Sequence, residues 1–182
     1  MAKRSLWLGI ILGALVASAG WAYANRLQEP TPKITFEDYL EIQQLYYKYA
    51  YAVDGLFMVD AKTPASGEMY ADTYTDDGEL NVVGVHDKNP IRGRQALIEF
   101  AKRGLANGPR KDRHVVANLL VKPIPGGAIG ESHMMLVNST TIPAQLLSNR
   151  ATADILVKTP KGWRFKKRTN SLISTNTPFE PR

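Results

Sequence analysis

Apolar positions along this chain follow three successive patterns. The first is an unbroken run, Leu6 to Val16. The second has helical period: Ile42, Leu45, Tyr46, Tyr49 and Val53 fall on one face. Thr35-Phe36-Glu37-Asp38 has the spacing of a capping box with Thr35 as N-cap, so a helix is predicted from there to about Asp54, with Gly55 as its stop. A loop follows over residues 55–67, then a short helix around Glu68–Thr75 and turn chemistry at Thr75-Asp76-Asp77-Gly78. A strand is predicted over Glu79–Val83, a loop containing His86, Asp87 and Pro90, a short extended piece at Ile91-Arg92-Gly93, and a third helix over Gln95–Arg103 with Ala96, Leu97 and Phe100 inward. The third pattern is that of strands: His114–Lys122, Ala128–Asn138, Asn149–Lys158 and Trp163–Ser171. Pro123–Gly127 and Thr159–Gly162 are turns between them, and Ser139–Ser148 is a longer loop. Helices segregated from an antiparallel meander predict an α+β domain. A curved sheet closed by a long helix leaves a pocket at its open end.

The chain has 182 residues, enough for one domain. Lys3 and Arg4, the apolar run after them and Ala22-Tyr23-Ala24 have the three-part form of a secretory signal, predicted to be cut after Ala24. An uncleaved membrane anchor is the alternative, since the run is nearly long enough to span. The expected layout is a signal peptide over 1–24, a flexible leader over 25–33, the α+β domain over 34–175 and a tail over 176–182. A periplasmic or secreted location follows, with no membrane contact after cleavage. There is no cysteine, which excludes disulfides, thiolate metal sites, thiol nucleophiles and a lipoprotein anchor. The net charge of +6 includes Lys3 and Arg4, and the basic residues are scattered apart from Arg164-Phe165-Lys166-Lys167-Arg168. Nucleic acid is therefore not an expected partner.

Several segments together resemble one superfamily. They are Ile42-Gln43-Gln44-Leu45-Tyr46-Tyr47-Lys48-Tyr49-Ala50 ending in Val53-Asp54, Tyr70-Ala71-Asp72-Thr73-Tyr74-Thr75-Asp76-Asp77-Gly78, Ile91-Arg92-Gly93-Arg94, Arg113-His114-Val115-Val116-Ala117-Asn118, and Lys158 through Arg168. In order and spacing they resemble SnoaL-like domains, related in fold to nuclear transport factor 2, scytalone dehydratase and steroid Δ-isomerase. The resemblance implies a cone-shaped, curved antiparallel sheet, or half-barrel, packed with three helices. In the dehydratase branch an acid–base group ends the first helix and a histidine lies on the strand after the third. The resemblance puts Asp54 and His114 there. It also puts Tyr49 where bile-acid-dehydratase-like members carry a tyrosine, five residues before the aspartate. Val53 stands where scytalone dehydratase has a tyrosine, which leaves the substrate open. The fold hosts many functions and does not fix the reaction.

Read as chemistry, a histidine beside a carboxylate is a proton shuttle near neutral pH. Asp54 and His114 could share one proton and act as general base, then general acid. That suits β-elimination, double-bond migration or loss of a small aldehyde, with neither metal nor organic cofactor. As structural residues the two would simply end a helix and begin a strand. The period of two puts Asn118 on the face of His114, where it could bind a substrate oxygen or satisfy buried backbone. His133 on the next strand, Asp154 and Arg168 on the last two, and Tyr47 and Tyr51 on the first helix complete the candidate substrate-binding set; each also has an ordinary packing or surface explanation. The expected function is a cofactor-independent lyase, of dehydratase or aldehyde-releasing type, on a small oxygenated aromatic, terpenoid or steroid-like molecule. An isomerase, or a non-catalytic binding module of the same fold, is the alternative. Both parities of the later strands carry apolar residues (Met134 and Leu136, Met135 and Val137), so a homodimer or homotrimer is expected through the sheet.

Overall fold

A computed structural model describes residues 32–55, 67–107 and 110–175. The proposed signal, most of the leader, the bulk of the 55–67 loop and the tail lie outside the described residues. Three helices, α1 (Phe36–Asp54), α2 (Gly67–Ala71) and α3 (Arg94–Gly104), precede or interrupt six strands: β1 (Tyr74–Val82), β2 (Ile91–Arg92), β3 (Asp112–Ile124), β4 (Gly127–Asn138), β5 (Gln145–Thr159) and β6 (Gly162–Thr175). The strands form one curved, unclosed sheet in the order β2-β1-β6-β5-β4-β3. The expected α+β cone architecture is present. The sheet is mixed rather than wholly antiparallel, because β1 runs parallel to β6. Among the described residues no helix is long and apolar enough to cross a membrane.

Helix α1 forms for the local reasons its sequence advertises. The Thr35 hydroxyl accepts from the Asp38 N–H while the Asp38 carboxylate accepts from the Thr35 N–H, closing the capping box. Gly55 ends the helix in the left-handed region at φ 74°, where a side chain would be strained. The helix is then pinned to the sheet at both ends. Near its start, Asp38 Oδ1 accepts from Lys158 Nζ (2.7 Å) and from the Trp163 indole N–H (2.9 Å), and Glu41 accepts from the Trp163 backbone N–H. These bonds tie α1 to the β5–β6 hairpin. At its end, Asp54 is tied to β3.

Cross-strand register defines the concave face row by row, since directly paired residues project to the same side. Ala128, Leu156 and Phe165 form the innermost row. Next come Gly130, Asp154, Arg168 and Leu80; then Ser132, Thr152, Asn170 and Val82. Val116, Met134, Arg150 and Leu172 follow, and His114, Leu136 and Ser148 lie outermost. Burial falls along this series, with Ser148 in the outermost row the exception. Leu156, Phe165 and Arg168 are fully enclosed, whereas Val116, Leu136 and Arg150 are half-buried and Leu172 is exposed. The sheet therefore opens at the end that carries His114. The narrow end is filled by aromatic rings: Tyr46, Tyr49, Tyr70, Tyr74 and Phe165 pack at centroid distances of 5.0–6.3 Å.

Candidate functional site

Asp54 and His114 are 60 residues apart in sequence, and the fold brings them into a two-point clamp. Asp54 Oδ1 lies 2.5 Å from His114 Nδ1, and Asp54 Oδ2 accepts from the His114 backbone N–H at 2.9 Å. The Asp54 side chain is 4% exposed and the His114 side chain 13%. Neighbouring backbone closes the site further, since the Arg110 N–H donates to the Asp54 carbonyl. With Nδ1–H donated to the carboxylate, the neutral imidazole has its lone pair on Nε2. No hydrogen bond occupies Nε2 among the described residues. The clamp thus fixes both the tautomer and the ring's orientation, and leaves Nε2 as the nitrogen with a lone pair.

Arg110 stands at the edge of this site. Its guanidinium donates twice to Asp112, at 3.1 and 2.7 Å. That bond, with smaller contributions from Asp54 and Tyr49, holds the Arg110 pKa above its ordinary value. Beside it, a cavity of about 320 Å³ lies between Val53, Phe100, Ala101, Arg103, Gly104 and Arg110. Phe100 in turn meets His86 edge-on (6.1 Å) and Tyr70 (5.9 Å), so His86 reaches this side of the domain although its loop offered no periodic signal.

Tyr49 is buried within the aromatic end. The Tyr70 and Tyr74 hydroxyls lie 3.2 Å apart, and the Tyr49 ring packs against both, at 5.4 and 6.3 Å. Burial pushes the Tyr70 and Tyr74 pKa values well up, so both hydroxyls stay protonated at any working pH. The Arg168 guanidinium lies over the rings of Tyr49 (4.1 Å), Phe165 (4.6 Å) and Tyr46 (5.0 Å). Asp154 is its counter-ion: Oδ2 accepts from Arg168 at 3.0 Å, from the Tyr46 hydroxyl at 2.6 Å and from Thr152 at 3.2 Å. Burial pushes the guanidinium's pKa down, but Asp154 together with Tyr49, Tyr46 and Tyr74 outweighs it, so the net shift is upward. Burial pushes the Asp154 carboxyl up against the pull of Arg168, Tyr46 and Thr152. A guanidinium cannot release its proton, so the ionised carboxylate is the form that completes this pair.

Four expectations need correction. Asn118 is exposed and does not share the face of His114. A bulge between Ala117 and Leu120 interrupts the period, Asn118 takes a positive φ of 54°, and Leu119 packs inward instead. His133 pairs with Ala117 and Ala151 on the convex face and is exposed. Tyr47 (39% exposed) and Tyr51 (37%) lie on the solvent side of α1. Tyr47 shares a line along the helix with Asp54, but only Asp54 is covered, because the start of β3 folds over the helix end. Asp154 and Arg168 are not pocket-lining surface charges: both are enclosed in the core, at 1% and 0% exposure.

The SnoaL-like domain family matches residues 35–169. The chain belongs to this family. Among solved structures, it is similar to a cystatin-like-fold protein of unknown function from Nostoc punctiforme (21% identity, TM-score 0.64, covering 79% of this chain and 98% of that one). It is also similar to an NTF2-like protein from Novosphingobium aromaticivorans (24% identity, TM-score 0.60, 85% and 90%) and to a Mycobacterium tuberculosis protein of unknown function (26% identity, TM-score 0.60, 78% and 75%). No curated protein matches the chain significantly in sequence. Cyclases, dehydratases and isomerases all occur in the SnoaL-like superfamily, and membership alone does not choose among them.

Proposed function

We propose that this SnoaL-like domain is a cofactor-independent lyase, of dehydratase or aldehyde-releasing type, acting on a small oxygenated organic molecule. The observation that carries the reading is the clamp of Asp54 on His114, which leaves Nε2 without a hydrogen bond among the described residues. In a dehydration, Nε2 takes the proton from a carbon next to a carbonyl. Asp54 stabilises the imidazolium that forms. The C–OH bond then breaks, and the departing hydroxyl takes that same proton and leaves as water. One imidazole both receives and returns the proton, so the step balances without another reactant. Tyr49, whose ring packs beside Tyr70 and Tyr74, is the donor this reading assigns to the negative charge developing on the carbonyl oxygen.

The test begins with purified protein screened against aromatic diols and hydroxy-steroids, following loss of water or formaldehyde by mass spectrometry. On a substrate so found, Asp54→Asn and His114→Ala should each cost on the order of 10²–10⁴ in rate, and the double variant little more than either. Tyr49→Phe should cost a comparable factor if its hydroxyl polarises the carbonyl, and far less if the ring only packs. Full turnover by His114→Ala would sink the reading. So would additive effects of the two dyad substitutions, because residues sharing one proton do not act independently.

A further inference from the structure

On the concave face, among the described residues, one cation is left over once the paired charges are accounted for. Arg168 is taken by Asp154, and Asp54 by His114. Arg150 lies on β5 directly between Met134 and Leu172, so it projects to the same side as His114, which is on β3 one row further out. It is half-buried, and among the described residues no carboxylate pairs with it. A cation partly withdrawn from water and left without a counter-ion is costly unless something supplies the opposite charge.

The residues flanking Arg150 carry the second observation. Ser148, two positions before it on the same face, is 7% exposed, and its Oγ has no hydrogen-bond partner. Asn170, paired with Thr152 two positions after, is 4% exposed, and its Oδ1 has none either. Buried polar side-chain atoms are ordinarily satisfied, so two orphans either side of an unpaired arginine mark a place where a ligand completes the bonding. Their chemistry reads directly. Arg150 and the Ser148 hydroxyl can both donate to one oxyanion. Asn170 Oδ1 can accept from a hydroxyl on the same molecule.

Sheet geometry gives the spacing. β3 and β5 are separated by β4, which sets their backbones about 10 Å apart, and the one-row offset adds about 7 Å along the strand. With both side chains extending over the concavity, the interval between the Arg150 guanidinium and His114 Nε2 suits a molecule about one ring long.

We infer that Arg150, with Ser148 and Asn170, anchors a carboxylate-type oxyanion, so that the ligand of this pocket is a small hydroxylated organic anion. The inference rests on the reading of the open concave face as the ligand pocket. Its test needs no turnover.

The probes are 3-hydroxy-3-phenylpropanoate and its neutral carboxamide, titrated calorimetrically at low salt into the full chain. The wild type should bind the carboxylate about tenfold or more tightly than the amide. Arg150→Met should erase that preference, leaving carboxylate and amide to bind alike. Arg150→Lys, which keeps the charge but loses the planar fork, should retain part of it and serves if the Met variant does not fold. His114→Ala should keep the preference, which separates this site from the dyad. Equal affinities in the wild type, no carboxylate binding at millimolar concentration, or a preference that survives in Arg150→Met would each overturn the assignment. An active Asp54–His114 dyad with no charge preference would sink this inference and leave the proposed reaction standing. A charge preference without any turnover would do the reverse.

Discussion

The Asp154–Arg168 pair allows a sharp test of how this core is held. Replacing Asp154 by Leu would leave a guanidinium that is 0% exposed, cannot deprotonate, and meets ring faces and the Met134 sulfur (3.9 Å) in place of a carboxylate. Stranding one member of a buried pair costs about 3–5 kcal/mol. The Tyr46 hydroxyl loses its 2.6 Å acceptor in the same step. Replacing Arg168 by Met should cost less, because a stranded carboxyl can take up a proton. The double variant Asp154→Leu/Arg168→Met removes both charges and leaves apolar groups of similar bulk, which is often close to neutral. The assay is urea unfolding. With a denaturant slope of about 2 kcal/mol per molar, Asp154→Leu should lower the midpoint by about 2 M, and the double variant should recover most of that. A midpoint shift below about 0.5 M for the single variant, or a double variant as unstable as the sum of the two, would refute the account.

Three further outcomes are expected. Asp38 is held well below the usual carboxylate range by Lys158 first and the Trp163 N–H second; its folded value lies under its unfolded one, so the stability it adds is complete above about pH 4 and fades as pH falls below that. Urea midpoints at about pH 6 and pH 3 should therefore differ more for the wild type than for Asp38→Asn, and equal losses would contradict this. Gly130→Val should destabilise by about 1–3 kcal/mol, since a Cβ there runs into the Tyr46 hydroxyl, and an unchanged melting temperature would show that the helix can yield. The proposed signal predicts a mature chain that begins at Asn25 by mass spectrometry; a chain still starting at Met1 in the membrane fraction would show that residues 1–24 are an anchor.

What the sequence made legible was whatever depends on local chemistry. The capping box, the Gly55 stop and the inward residues of α1 are settled by short-range geometry, and the structure has them, with Val53 partly buried. Segment 75–78 read as a turn because Asp and Gly dominate it, yet it lies within β1. The strand is irregular between Tyr74 and Glu79, and the Phe165 N–H bonds the Thr73 carbonyl, a partner no local window contains. The bulge at Asn118 was equally invisible, because strict alternation assumes an unbroken ladder. Arg150 and Asn170 raised no signal as a polar pair on adjacent strands. Their lack of partners becomes visible only after register has assigned every other charge.

The place of β6 has a consequence for the order in which the molecule can assemble. This last strand pairs with β1 on one side and β5 on the other, so it joins the early part of the chain to the meander. Until residues 162–175 have left the ribosome, β1 and β2 have no sheet to join, and Tyr46 and Tyr49 have no Phe165 or Arg168 to pack against. The sequence span those contacts must close makes folding a late and nearly all-or-none event. The emerging polypeptide consequently stays open for almost the whole of its synthesis. A premature stop anywhere before Trp163 should yield a chain for proteolysis to clear, with no smaller folded domain left behind.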